Sequence, residues 1–226
     1  WATSWLDQTL LNWTKTRAHS ADLNRQVALW LQQAATALLF LHQQEVIHCG
    51  LQPASVLLDR QETLRISDLG QTWSFGHLLR SSSVERLYFA APQQIQASVF
   101  GDRRPEPNWD IFALGAIFYQ TLTSFLPRSN LKIVQRLEGI SNGAERLASF
   151  WGELQQQRLR PIRSYNSEVD IGLAIMIERC LQLEPENRYA SSADLLSDLS
   201  LWRPNQPHWL DQIAYGAKSV AFSLGL

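Results

Sequence analysis

The sequence predicts a mainly α-helical fold with one small β-hairpin. Three observations carry this. An apolar stripe, Leu23, Val27, Leu31, Ala34, Leu38 and Leu41, recurs in steps of three and four residues, which lines it up on one face of a helix. Two short apolar runs, residues 56–58 and 64–66, flank the polar stretch Asp59-Arg60-Gln61-Glu62, the pattern of two strands and a turn. Residues 109–123 form an apolar helix, and residues 171–181 are apolar almost all round, as buried helices are.

Taken in order, Ser20 is placed to cap the first long helix, which runs to about Gln44. The hairpin follows. Residues 71–91 contain Ser81, Ser82 and Ser83 and read as an irregular loop, as do residues 100–108 with Gly101, Pro105 and Pro107. The helix over 109–123 presents Ile111, Leu114, Phe118 and Leu122 on one side, and residues 131–140 form a weaker helix. Ser191 opens a last helix with Asp194 three residues on, a capping-box pattern, and with Leu195, Leu199 and Trp202 as its apolar face. Pro204 and Pro207 then stop regular structure. The expected organisation is one unit over 1–203 and a weakly amphipathic tail over 204–226, a linker or a partner-binding helix.

Composition bounds the function. With 45% hydrophobic and 18% charged residues among 226, the chain can bury a core. A formal net charge of −1 without a basic run argues against a nucleic-acid partner. Two cysteines far apart, Cys49 and Cys180, make no disulfide framework and point to a reducing, cytoplasmic setting or the cytoplasmic face of a membrane assembly. No apolar run reaches the roughly 20 residues of a membrane span. The stretch 213–226 is too short and too polar to cross, though apolar enough to lie on a surface.

The stretch from His48 to Gly70 reads HCGLQPASVLLDRQETLRISDLG. Within it, His48, Leu51 and Pro53 keep the frame of H-R-D-L-K-P-E-N, and Asp68-Leu69-Gly70 matches D-F-G. Further on come Ala91-Pro92-Gln93, close to A-P-E, and Asp110-Ile111-Phe112-Ala113-Leu114-Gly115, close to D-x-x-S-L-G. Cys180 to Arg188 reads CLQLEPENR, close to C-L-x-x-D-P-x-x-R. Five such segments in this order resemble the C-terminal lobe of the eukaryotic-type protein kinase fold over about residues 1–202. The resemblance implies a helical lobe, α+β overall if an N-terminal lobe precedes it, and it makes residues 1–16 the helix that follows the interlobe hinge. No Gly-rich phosphate loop and no strand lysine of the V-A-I-K type occurs in the chain.

The resemblance assigns roles position by position. Gly50 stands where the catalytic Asp accepts the substrate proton, Gln52 where a Lys supports the transferring phosphoryl group, and Ser55 where an Asn holds a second metal ion. Cys49 replaces the Arg that pairs with a phosphorylated activation loop, and its plain reading is a small buried hydrophobe. Asp68 is kept, either as a ligand for Mg²⁺ and nucleotide or as a cap for nearby backbone. Asp110 ties the catalytic loop to the central helix, and His48 packs as a core histidine. Gln93 and Arg188 occupy the places of a buried Glu–Arg ion pair, with Glu184 or Glu186 available to compensate the arginine.

These substitutions predict a pseudokinase, a chain without enzyme activity that works as a protein-binding scaffold or allosteric module and has no resident cofactor. Trp73, Phe75, Trp151 and Trp209 are its candidate interface anchors, with core packing as the alternative for each. A second expectation is an ATP/Mg²⁺-binding regulatory domain with little or no phosphotransfer, dependent on Asp68 and on an upper lobe. A third is an active enzyme with a displaced base, which Asp59, Asp68 or His48 would supply. Oligomeric state stays open.

Overall fold

The computed structural model describes residues 6–10, 23–69, 83–101 and 104–203. In chain order these form β1 (Leu6–Thr9), α1 (Leu23–Gln43), β2 (Val56–Asp59), β3 (Leu64–Ile66), α2 (Pro92–Phe100), α3 (Pro107–Thr123), α4 (Leu131–Glu138), α5 (Gly143–Gln156), α6 (Ile171–Cys180) and α7 (Ser192–Leu201), with short 3₁₀ turns over Pro53–Ser55 and Glu85–Phe89. The predicted mainly helical fold is the observed one. Ser20, expected to cap the first helix, the candidate anchors Trp73, Phe75 and Trp209, and residues 204–226 lie outside the described residues.

α3 is the central post. Almost every residue from Trp109 to Thr123 is buried, so the single apolar face expected for it widens to the whole circumference. It packs against α6, α1 and the Glu85–Phe89 turn. Gly115 sets the closest approach: a Cβ there would sit 2.5 Å from Cys180 Cβ and 3.3 Å from the Ile177 carbonyl oxygen. α1 buries its predicted stripe, and Trp30, fully buried, donates from Nε1 to the Glu62 carbonyl at 2.7 Å. α7 lies antiparallel along α1: Ser192 Oγ is 3.5 Å from His42 Nδ1 at one end, and at the other Trp202 Nε1 donates to Asp170, whose N–H donates to Asn24. Its capping box is formed, with Asp194 N–H donating to Ser191 Oγ and Ser191 N–H to Asp194 Oδ2.

A second cluster joins Leu87, Tyr88, Ile95, Leu137, Leu147, Phe150 and Leu154 beneath α2, α4 and α5. Tyr88 and Phe150 meet edge to face with ring centroids 4.8 Å apart. Trp151 is half-buried against this cluster, so packing accounts for it.

Three expectations change. Residues 1–16 are not one helix: Leu6–Thr9 is a strand, antiparallel to β2 in the register Gln8↔Leu58 and Thr9↔Leu57, and the hairpin becomes a three-stranded sheet of order β1-β2-β3. Pairing with the open side of β2 overrides the local helical preference. The loop over 100–108 shrinks, because α2 ends at Phe100 on Gly101 in the left-handed region (φ 74°) and Pro107 begins α3. The extra helix α5 fills residues left unassigned; Asn142 caps it by accepting from the N–H groups of Ala144 and Glu145.

Gly115→Ala is expected to destabilise the fold by roughly 1–3 kcal/mol, the usual cost of overpacking. The urea-unfolding midpoint measures this, with an unchanged m-value showing that only stability moved.

Candidate functional site

The site begins with a carboxylate. Asp110, in the first turn of α3 and 1% exposed, accepts the backbone N–H of His48 through Oδ2 and of Cys49 through Oδ1, both at 2.8 Å. His42 Nε2 lies 3.0 Å from Oδ2. The bonds clamp the His48–Cys49 turn, in which Cys49 takes φ 58°, a left-handed conformation that costs an ordinary residue about 1–2 kcal/mol. The Cys49 carbonyl accepts from Gln94 Nε2 at 2.6 Å. The thiol is buried and not in a disulfide.

His48 is 2% exposed. Its Nδ1 accepts from Gly50 N–H at 3.3 Å and its Nε2 faces the Ser67 carbonyl at 2.9 Å, which assigns the tautomer with the proton on Nε2. The imidazole thus bridges the loop to the residue before Asp68. Ser67 N–H donates to the Ser55 carbonyl at 2.9 Å. Ser55, fully buried, spends its hydroxyl on its own turn: Oγ donates to the Gln52 carbonyl at 2.8 Å and accepts Gln52 N–H at 3.0 Å. It therefore holds the turn shut and has no hydrogen left for a ligand.

Asp68 is exposed, with φ 64°, a conformation that Asp tolerates better than most residues. Ser67 Oγ donates to its Oδ2 at 3.2 Å. No group of three or more metal-ligating side chains occurs among the described residues. A lone exposed carboxylate does not cage a metal ion by itself, but it fits Mg²⁺, which keeps several waters and takes one or two carboxylates with substrate phosphates.

Two of the positions assigned to catalysis, Gly50 and Gln52, line a cavity of about 30 Å³ together with Cys49, Arg86, Gln94 and Asp110, among others; Ser55 and Asp68 lie outside it. That volume holds about one water. Among the described residues, the only carboxylate on its wall is Asp110, with both oxygens already bonded. Asp59 does not substitute for the missing base. It accepts from Thr63 N–H at 2.9 Å and Gln61 N–H at 3.0 Å and pairs with Arg65, and the Thr63 bond above all holds its carboxyl below the usual range. His48 is likewise committed, so two of the three candidates for a displaced base are occupied by structural bonds.

Arg188 is 2% exposed and donates to Gln93 Oε1 at 2.6 Å, to the carbonyls of Leu183 at 2.6 Å and Gln182 at 2.5 Å, and more weakly to that of Asn108 at 3.4 Å. Gln93 Nε2 donates to the same Leu183 carbonyl at 2.9 Å. Neither Glu184 nor Glu186 pairs with it; carbonyl oxygens take the place of the acid. Two residues of the site were not singled out in the sequence, Gln94 and Arg86. Only the adjacency of Gln94 to Ala91-Pro92-Gln93 could have pointed to it.

The family model described as "Protein kinase domain" matches residues 6–198. Among curated relatives, a protein of Clostridium acetobutylicum named a probable serine/threonine-protein kinase is 23% identical over 74% of this chain and 23% of its own length. The carbon catabolite-derepressing protein kinase of Saccharomyces cerevisiae is 29% identical over 70% of this chain and 22% of its own. A serine/threonine-protein kinase of Caenorhabditis briggsae is 26% identical over 85% of this chain and 26% of its own. The chain thus spans about a quarter of the length of these relatives. The matches overturn the expectation of a chain without enzyme activity, since the family and the relatives are kinases. The physical reason is that phosphoryl transfer passes through a loose transition state, in which positioning and charge stabilisation carry most of the catalysis. A missing base lowers such a rate without deleting the reaction.

Asp110→Ala strands two buried backbone N–H groups, and is expected to cost roughly 3 kcal/mol of stability. Urea unfolding measures it; Asp110→Asn, which keeps one acceptor, should lose less.

Proposed function

The chain belongs to the protein kinase domain family, and from that premise we propose that it binds a magnesium–nucleoside triphosphate through Asp68 and supports residual phosphoryl transfer to a protein hydroxyl. The observation that carries this is the placement of Asp68. Its carboxylate is exposed on a left-handed backbone, and its neighbour Ser67 is pinned from two sides, by His48 and by Ser55. A carboxylate fixed this way needs little reorganisation to hold a cation. When bound, the magnesium complex supplies the phosphoryl group and offsets its charge.

The rest of the chemistry belongs to this chain's own residues. Asp110 and Gln94 fix the backbone on either side of Cys49, so the loop keeps its shape with no carboxylate at position 50. The substrate proton then passes to solvent in the water-sized space beside Gly50. A positioned base contributes roughly 10²–10⁴-fold, so turnover should be slow. Arg86, exposed on the rim of that space, is the cation available to an acidic substrate.

Two measurements on the full-length protein test this. ATP with Mg²⁺ at about 100 times Kd should raise Tm by roughly 5 °C, and Asp68→Ala should abolish the shift. Gly50→Asp should raise the rate of labelled-phosphate transfer to a generic protein substrate by about 10²-fold. A wild-type protein whose Tm does not respond to nucleotide overturns the proposal.

A further inference from the structure

The space beside Gly50 has a cation on its rim and no proton acceptor on its wall. Arg86 stands in the turn Glu85–Phe89, exposed, and its side chain makes no ion pair or hydrogen bond among the described residues. The other polar groups are committed. Asp110 accepts Cys49 N–H through Oδ1 and His48 N–H through Oδ2, with His42 3.0 Å from Oδ2. Gln94 Nε2 donates to the Cys49 carbonyl. Gln52 adds an amide without charge. An unpaired guanidinium presents a planar fork that matches a carboxylate, and the volume of about 30 Å³ takes a group of roughly the size of one water or one carboxylate.

The chain around Arg86 brings no acid to this place. The sequence over 69–84, which leads into the Arg86 turn, contains no Asp and no Glu. Glu85 is exposed and Asp68 precedes that stretch, and neither lines the space. The residue at position 50 has no side chain to offer one. An acid that enters here therefore comes from outside the loop.

We propose that the substrate supplies the missing base: a protein hydroxyl flanked by Asp or Glu, whose carboxylate enters the space beside Gly50, pairs with Arg86 and takes the hydroxyl proton. This deepens the phosphoryl-transfer reading and rests on it. The acceptor oxygen forms its bond to phosphorus as the bond to the nucleoside diphosphate breaks, and the departing oxygen keeps that electron pair. The hydroxyl proton goes to the substrate's own carboxylate, which then releases it to water. A substrate without such an acid gives its proton to solvent and turns over more slowly. Gly50 then sets specificity, because a residue without a side chain leaves room for the acid that the substrate brings.

Two measurements on the full-length protein test this. The first needs no nucleotide and uses formate as the probe. At about 0.1 M, ten times a Kd of about 10 mM, formate should raise Tm by roughly 3 °C over chloride at equal ionic strength. Arg86→Gln, which removes the cation, and Gly50→Asp, which puts a carboxylate in the space, should each abolish the difference. Formate that does no more than chloride, or acts equally on both variants, overturns the proposal. The second compares ATP- and Mg²⁺-dependent transfer to a peptide whose serine is flanked by Glu with transfer to the same peptide carrying Gln. The Glu peptide should show about tenfold higher kcat, less than a base held by the enzyme itself supplies, and Gly50→Asp should erase the preference. A preference confined to KM, one that survives Gly50→Asp, or no transfer to either peptide overturns the proposal. In each of those cases a nucleotide-dependent rise in Tm that Asp68→Ala abolishes leaves nucleotide binding standing; without that rise both readings fall.

Discussion

The structure turns on one carboxylate. Asp110 sits at the start of a helix buried on all sides and holds the backbone of a loop more than sixty residues earlier in the chain. Its two oxygens divide the work: Oδ1 takes Cys49, and Oδ2 takes His48 and faces His42 on α1. Three elements, the loop, α1 and α3, are thereby joined at one point. A buried charge is costly without partners, and an unpaired amide is costly too; each solves the other's problem. The arrangement also makes the left-handed backbone at Cys49 affordable, since a strained residue persists only where its surroundings over-determine it.

The parts of this fold that were legible in the sequence are those set by local periodicity. The α1 stripe, the hairpin, the apolar α3 and α6 and the Ser191–Asp194 box all follow from spacings of two, three or four residues. β1 was not legible, because its strand character comes from β2, a partner some fifty residues away. α2 hid behind a short, weakly patterned sequence, although Pro92 at its start and Gly101 past its end are the usual punctuation. α5 hid behind Asn142-Gly143, which resembles a turn and is in fact a cap. At the site, the residue types at each position could be read from the motifs, but their commitments could not. That Ser55 is consumed by its own turn, or that Gln94 holds Cys49, depends on contacts that only the fold creates.

The same distinction explains why the expectation of inactivity, drawn from Gly50, Gln52, Ser55 and Gln93 together, did not hold against the family match. A base worth 10²–10⁴ in rate corresponds to about 3–5 kcal/mol of barrier. Enzymes lower barriers by about 8–23 kcal/mol. Position and electrostatic preorganisation supply the larger part for phosphoryl transfer, and Asp110, His48 and Ser55 hold the backbone on which positioning depends. Gly50 removes the proton acceptor, Gln52 a positive charge and Ser55 an amide ligand, while the backbone frame that would carry them is kept. Residue identity at a single position therefore speaks to rate more directly than to reaction class.

Arg188 shows how such a frame tolerates a lost charge. Burial pushes its pKa down to about 10, so the guanidinium still carries its charge at neutral pH. The sign of the linkage is unfavourable: a base depressed in the folded state weakens folding at every pH below that value, and the penalty is relieved only as pH rises above it. A depression of this size corresponds to about 3 kcal/mol. An ion pair with an acid at position 93 would offset it by charge. Here the offset comes from dipoles: Gln93 Oε1 and the carbonyls of Leu183 and Gln182 saturate the fork, and Glu184, Glu186 and Glu106 act only from a distance. Because Gln93 also donates to the Leu183 carbonyl, the amide does something a carboxylate cannot, closing a ring of hydrogen bonds between α2 and the turn before α7. The position has exchanged charge compensation for connectivity, and the tie between the two cores survives the exchange.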